Sequence, residues 1–158
     1  MEYNNIYDYT DIYNVDVRVT QPISAAELSR TFFSAPEWIV MLMKFRNAIM
    51  KPFGLKGERN LSDLVSIESE NTAQISKTDK HLDFIIALTT ATAGNENQRI
   101  SVCTKVRFNN RMGKIYFALI KPFHKIICKT LIKRAKRSIE QSEKLSDEAT
   151  GNVACEGV

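Results

Sequence analysis

The chain has 158 residues, of which 44% are hydrophobic and 25% are charged. A chain of this length buries enough apolar surface to fold as one domain without disulfides or metal, and its composition excludes collagen-like, low-complexity and wholly disordered proteins. It carries 22 Lys and Arg residues against 18 Asp and Glu residues, a formal net charge of +4. This charge is unevenly distributed, because residues 111–137 contain nine basic residues and no acidic one, whereas residues 140–158 contain five acids and one lysine. Any electrostatic function is therefore expected in segment 111–137.

The sequence has no recognisable targeting or membrane-spanning segment, and we expect a cytoplasmic, reduced protein. The first twenty residues lack the basic and apolar regions of a signal peptide. The longest unbroken apolar run, residues 115–120, is far shorter than the ~20 residues that cross a bilayer. Cys103, Cys128 and Cys155 are not spaced as zinc ligands or as a disulfide framework. Neither a metal nor a cofactor is expected.

The first third of the chain predicts one strand followed by two helices. The alternation of Val15, Val17 and Val19 with polar residues indicates a strand with one buried face. Two capping boxes, each a serine followed three residues later by a glutamate, begin at Ser24 and Ser34 and predict a helix at each place. The second helix has an apolar stripe at helical spacing, which comprises Trp38, Leu42, Phe45 and Ile49.

Residues 65–108 predict four antiparallel strands joined by short polar turns. Asn109 and Asn110 then cap a long helix that begins near Arg111, and Pro122 inside this helix predicts a kink or a break. The fold class is thus α+β in the order β-α-α-β-β-β-β-α, with a curved antiparallel sheet packed on the C-terminal helix. Residues 1–139 are expected to form this single domain, and the acidic residues 140–158 are expected to be a disordered tail.

Segment 113–135 resembles the C-terminal helix of an uncharacterised bacterial family, domain of unknown function 2867. The positions that match the family pattern of glycine, tyrosine and Pro-Phe-His are Gly113, Tyr116, Pro122, Phe123 and His124. Weaker matches occur in segments 38–47, 81–84 and 106–110, so that the resemblance covers roughly residues 12–137. The resemblance implies the helix-grip superfamily (SRPBCC) of START, polyketide-cyclase and pollen-allergen domains, which bind apolar ligands in a cavity between sheet and helix.

The C-terminal helix has a basic stripe that repeats every four residues, formed by Lys121, Lys125, Lys129 and Lys133. Its other side is apolar and is predicted to pack on the sheet; it comprises Met112, Tyr116, Leu119, Phe123, Ile126, Ile127 and Leu131. The simplest interpretation is an amphipathic helix that keeps its lysines in water. One alternative is that the lysines contact an anionic membrane surface. Nucleic acid is a weaker alternative, because no aromatic platform or base-reading motif accompanies the lysines.

The preferred functional hypothesis is a non-enzymatic module that binds a small apolar or amphipathic ligand between the sheet and the C-terminal helix. The candidate ligand-binding residues are Trp38, Leu42, Arg46, Phe84, Val106, Phe108, Tyr116, Phe123 and His124. Arg46 lies at the border of the Trp38 stripe, where it could anchor a polar group of the ligand. An enzyme of the cyclase or hydrolase type is the alternative, with His124 and Tyr116 as its candidate acid or base. No catalytic residue is assigned.

Overall fold

An antiparallel sheet and a long C-terminal helix account for most of the ordered elements. The computed structural model describes residues 6–34, 37, 40, 44, 51 and 64–153. The strands are β1 (Tyr9–Arg18), β2 (Ser66–Ser69), β3 (Thr72–Thr78), β4 (Leu82–Thr92) and β5 (Asn97–Phe108), and the helices are α1 (Ala25–Phe33) and α2 (Arg111–Val153). The five strands form one sheet in the order β1-β5-β4-β3-β2, and every neighbouring pair is antiparallel.

This architecture confirms the predicted fold class, a curved antiparallel sheet with a long C-terminal helix in an α+β chain. Strands β2 to β5 lie where the alternating pattern predicts them, and in β3 and β5 the buried residues alternate with outward-facing ones. The predicted second helix, with the stripe that includes Trp38 and Leu42, lies outside the described residues.

Strand β1 begins at Tyr9, six residues before the first valine of the alternating pattern that predicts it. Its register against β5 runs from Tyr9 opposite Val106 to Arg18 opposite Asn97. Residues 9–14 of β1 lie before the predicted pattern, and their inward positions are occupied by Tyr9, Asp11 and Tyr13. A search for alternating apolar residues does not detect them, because one is charged and two are tyrosines. The strand therefore extends the sheet with a partly polar inner surface.

Helix α1 begins with the capping box that the sequence predicts. The Ser24 side chain accepts a hydrogen bond from the Glu27 backbone, and Glu27 Oε2 accepts one from the Ser24 N–H at 2.9 Å. The hydrogen bonds from Ser24 lower the pKa of Glu27, so the carboxylate form is favoured at the helix start. Leu28 and Phe32 are buried on the inner side of α1 and join the core under the sheet.

Helix α2 starts against the β3–β4 turn in a close backbone contact. Asn110 Oδ1 accepts a hydrogen bond from the Gly113 N–H at 3.0 Å and lies 3.1 Å from His81 Nδ1. Because that oxygen is an acceptor for Gly113, His81 Nδ1 carries the hydrogen of the second contact. A side-chain carbon at Gly113 would lie 1.9 Å from the carbonyl oxygen of His81, so only glycine fits this position.

The apolar surface of α2 divides into two faces, whereas the sequence predicts one. Tyr116 and Leu131 are buried against the rest of the protein, at 7% and 6% exposure. Ile127 is partly buried against the core. Four other large apolar residues of the predicted face, together with Ile115, are exposed and point outward, namely Met112, Leu119, Phe123 and Ile126. The prediction that the whole face packs on the sheet is wrong, because about 100° of rotation per residue spreads its residues over an arc of about 140°, and only one side of that arc is buried. Pro122 lies inside α2 without interrupting it.

Helix α2 continues through residues 140–153, where the sequence predicts a disordered tail. Glu140 Oε1 accepts a hydrogen bond from the Arg18 N–H at 3.4 Å, and Glu143 Oε2 accepts one from the Thr20 N–H at 2.7 Å. Ile139 is buried at 7% exposure directly before these residues. Residues 140–153 are thus helical, and two of their acids contact the end of β1.

The core between sheet and helices consists of two apolar clusters. The larger one includes Val17, Leu28, Ile100, Val102 and Leu131, with other buried residues of α1, α2 and the sheet. The smaller one lies nearer the start of α2 and comprises Leu82, Val106, Tyr116 and Phe117, with Tyr9, Phe84, Phe108 and Ile120 packed against them. The region between these two clusters contains the candidate site.

Candidate functional site

A layer of polar side chains separates the two apolar clusters on each of three elements. In β5, Thr104 lies between Val102 of the larger cluster and Val106 of the smaller one. Asp11 is paired opposite Thr104 in β1. His124 of α2 completes the layer, and we call Asp11, Thr104 and His124 the polar layer. Because β1, β5 and α2 each contribute one residue at the same level, the layer crosses the sheet–helix interface.

An ion pair forms the centre of the polar layer. His124 Nε2 lies 3.3 Å from Asp11 Oδ2, and the two side chains are only 17% and 11% exposed. Burial alone would raise the pKa of Asp11, but the hydrogen bonds to His124 and Tyr9 outweigh it and the pKa lies below its ordinary value. Burial alone would lower the pKa of His124, yet the hydrogen bonds to Asp11 and Cys128 raise it to about 9. At neutral pH the pair is therefore carboxylate and imidazolium.

Two tyrosines and one cysteine surround this ion pair. Tyr9 Oη donates a hydrogen bond to Asp11 Oδ2 at 2.7 Å, and burial followed by this bond raises the pKa of Tyr9. Burial and the charge of Asp11 also raise the pKa of Tyr13. Cys128, one turn further along α2, has its Sγ atom 3.6 Å from His124 Nε2 and 3.8 Å from His124 Nδ1. The sulfur is thus in contact distance of both ring nitrogens.

Two oxygens of the polar layer have no hydrogen-bond partner among the described residues. They are Asp11 Oδ1 and Thr104 Oγ1, both buried; the Thr104 hydroxyl faces Asp11 and lowers the pKa of that carboxyl, but the two groups do not reach ordinary hydrogen-bond geometry. Buried polar atoms in folded proteins are nearly always satisfied by protein, water or ligand, and an unpaired one costs roughly 1–3 kcal/mol. A carboxylate oxygen only accepts hydrogen bonds, and a hydroxyl can donate or accept. The layer can therefore bind one additional group that carries a hydrogen-bond donor.

The structure brings together five of the nine sequence-predicted site residues. Phe84, Val106, Phe108 and Tyr116 belong to the smaller apolar cluster. His124 borders it, with its ring centroid 6.4 Å from that of Phe117. These residues belong to, or border, one apolar cluster beside the polar layer.

The other four predicted site residues are not brought to this place. Phe123 is 41% exposed, because the residue next to His124 on a helix points about 100° away from it. Trp38, Leu42 and Arg46 lie outside the described residues, and with them the predicted polar anchor.

The lysine stripe lies along the side of α2 that faces β1. The Lys121 ammonium is 4.8 Å from the Tyr9 ring centroid, and that of Lys129 is 5.8 Å from the Tyr13 ring centroid. Both distances allow a cation–π attraction. Lys125 and Lys133 are exposed. The stripe thus borders the outer edge of the polar layer without entering it.

Sequence reasoning missed Asp11, Thr104, Tyr9 and Tyr13. The alternation of side chains along β1 was an available signal. Positions 11, 15 and 17 differ by even numbers, so Asp11 faces the same side of the strand as the inward-facing Val15 and Val17. A carboxylate at an inward position needs a partner, and His124 is a histidine on the helix that covers this face.

The part of the chain that the structure describes contains no group of three or more His, Cys, Asp or Glu residues arranged to hold a metal ion. Among the described helices, none is long and apolar enough to span a bilayer.

The elements and the site define an α+β protein in which a C-terminal helix closes one face of an antiparallel sheet over a polar layer. The chain belongs to the family described as protein of unknown function (DUF2867), which matches residues 5–131. No curated protein matches the chain.

Two solved structures show low similarity to the chain. One, a conserved protein from Geobacillus kaustophilus, has 9% sequence identity and a TM-score of 0.45, with coverage of 85% of this chain and 97% of that one. The other, a point mutant of norcoclaurine synthase from Thalictrum flavum in complex with a transition-state analogue, has 10% identity and a TM-score of 0.25. Its match covers 79% of this chain and 96% of that one.

Proposed function

We propose that the protein is a non-enzymatic binding module for a small amphipathic ligand held between the sheet and α2. The single observation that carries this proposal is the pair of buried oxygens of Asp11 and Thr104 that, among the described residues, form no hydrogen bond of ordinary geometry and lie beside an apolar cluster. A ligand whose polar end donates a hydrogen bond would satisfy Asp11 Oδ1, and its apolar part would contact Phe84, Phe108 and their neighbours. The resemblance to the helix-grip superfamily, whose domains bind apolar ligands at this interface, favours the same function.

The charges of the polar layer restrict the chemistry of the ligand's polar end. Asp11 is paired with the imidazolium of His124, so the layer is close to neutral as a whole. A hydroxyl or an amine can donate to Asp11 Oδ1 and also contact Thr104 Oγ1. A carboxylate head group carries no donor at neutral pH and would be repelled by Asp11. We therefore assign the ligand class to small amphipathic alcohols and amines rather than fatty acids.

The protonation state of His124 favours binding over catalysis. A general base is most effective when its pKa lies near the working pH and it is unprotonated before reaction. The pKa of His124 is raised to about 9, so the ring already carries its proton at neutral pH. An enzyme of the cyclase or hydrolase type would have to use His124 as an acid, with its proton held toward Asp11.

Thr104→Val tests the proposal directly because it removes the hydroxyl and keeps the shape. Without ligand, this variant should be nearly as stable as the parent protein, since the lost hydroxyl makes only a long contact with Asp11. With ligand, it should bind about tenfold more weakly because one hydrogen bond to the polar end is missing. Thr10→Val, on the exposed side of β1, is the matched control and should change neither quantity.

The measurements are native mass spectrometry of the purified protein and thermal unfolding with decanol, decylamine and decanoate as probes. A ligand that binds only the folded state raises the unfolding temperature in a concentration-dependent way. Decanol and decylamine should do so and decanoate should not. The absence of any co-purified molecule, together with no stabilisation by any of the three probes, would show that only water occupies the polar layer and would reject the proposal.

A further inference from the structure

The outward side of α2 carries an apolar stripe that the sheet does not cover. It comprises Met112, Ile115, Leu119, Phe123 and Ile126, with exposures of 39%, 54%, 53%, 41% and 54%. Successive members are three or four residues apart, so all five lie within an arc of about 80° on the helix. The arc extends over about 21 Å of helix length. We call these five residues the outer stripe.

Basic residues flank the outer stripe on one side. At about 100° per residue, Lys114, Lys121, Lys125 and Lys129 fall within the adjacent arc of about 80°. No acidic residue occurs anywhere in residues 111–137. The outer surface of the first half of α2 is therefore a row of apolar side chains beside a row of positive charges.

This arrangement is compatible with α2 remaining packed on the sheet. The buried residues of α2, including Phe117, Cys128, Leu131 and Ala135, lie on a different side of the helix from the outer stripe. The helix can cover the sheet with one face and present the other to a partner at the same time. No rearrangement of the core is required for such a contact.

We infer that the outer stripe and its lysines bind the surface of an anionic membrane. An amphipathic helix in the membrane interface places its apolar side chains at the boundary of the acyl chains and its lysines at the level of the head groups. Lysines near an anionic surface are attracted to it, and the absence of acids in the segment leaves this attraction uncompensated. A second copy of the chain fits less well, because it would bring together two segments that each carry nine bases and no acid.

The experiment is vesicle flotation of the full-length protein with phosphatidylcholine vesicles that contain or lack phosphatidylserine. The unchanged protein should float with the mixed vesicles at low salt, bind less as salt rises, and not float with phosphatidylcholine alone. Ile115→Gln/Leu119→Gln should lose most of the binding. Its matched control is Ile12→Gln/Ile67→Gln, since Ile12 and Ile67 are 57% and 51% exposed on the sheet and should tolerate the change without effect.

The contribution of charge is tested separately with single lysine variants. Lys125→Gln should weaken partitioning to the mixed vesicles roughly fivefold. Lys105→Gln, from an exposed position of β5, should leave it unchanged. Circular dichroism should show that all variants are folded, because every replaced side chain is exposed.

Three results would overturn the inference. The first is no flotation with the mixed vesicles, and the second is equal flotation with and without phosphatidylserine. The third is a dimer in light scattering that Ile115→Gln/Leu119→Gln converts to a monomer, without vesicle binding by either protein. None of these results bears on the polar layer, so the ligand-binding proposal is tested independently.

Discussion

Asp11 and His124 show how two charges are maintained inside an otherwise apolar interface. Each side chain is more than four-fifths buried, and removing either one alone would leave an uncompensated charge. Such a loss typically costs about 3–5 kcal/mol, whereas replacing both partners together costs far less. The tyrosine hydroxyl that also donates to Asp11 fixes the orientation of the carboxylate. The pair therefore specifies how α2 is positioned over β1.

The ion pair predicts that stability depends on pH in the alkaline range. The pKa of His124 is raised from 6.5 to about 9 in the folded protein. Its contribution to the free energy of unfolding is full below pH 6.5, decreases as the pH rises toward about 9, and is absent above that value. The decrease should amount to about 3 kcal/mol in urea unfolding measured from pH 6 to 9.5.

The variant Asp11→Asn/His124→Gln is the control for this dependence. It keeps two polar side chains of similar size but has no titrating group at either position, so its unfolding free energy should change little over the same range. Since the pKa of Asp11 is lowered, the parent protein should also lose stability as the pH falls below 3.8, and the double variant should lose less. Equal pH profiles for both proteins would show that the ion pair is not stabilising.

At the scale of elements, three different parts of the α2 surface have three different structural roles. Its first turn meets the β3–β4 turn at Gly113, its inner face covers the sheet, and its outer stripe is exposed. The family pattern that includes Gly113, Tyr116 and His124 thus corresponds to a close contact, a buried side chain and the polar layer. The pattern describes how the helix is held on the sheet.

Gly113→Ala should destabilise the protein although alanine is the better helix former. The new methyl carbon would lie 1.9 Å from the His81 carbonyl oxygen, which is backbone and cannot rotate away. We expect a loss of about 1–3 kcal/mol in urea unfolding. Ala118→Gly, at an exposed position of the same helix, measures the helix-propensity effect alone, about 1 kcal/mol. If Gly113→Ala raised the stability, the contact with His81 would not restrict this position.

At the scale of the whole molecule, the sequence predicts what regular alternation and capping encode. Strands β2 to β5, the capping box at Ser24 and the start of α2 at Asn110 all follow from local patterns with a direct physical cause. Asp11 escapes such patterns because its role depends on His124, which is more than a hundred residues away. Local patterns also do not distinguish the two apolar faces of α2. The buried and the exposed apolar residues lie on adjoining arcs of the helix, so their spacing in the sequence is the same.

The domain boundary predicted after residue 139 can be tested by truncation. A chain that ends at Ile139 loses Glu140 and Glu143, which accept hydrogen bonds from Arg18 and Thr20 at the end of β1. These bonds are exposed, so the loss should be about 1–2 kcal/mol, and the shortened chain should still fold cooperatively. A chain that ends at Ser146 keeps both glutamates and should match the full chain in its urea midpoint. If the chain ending at Ile139 also matched it, the tail would contribute nothing to stability. If that chain failed to fold, the boundary at 139 would be wrong, and residues 140–146 would belong to the domain.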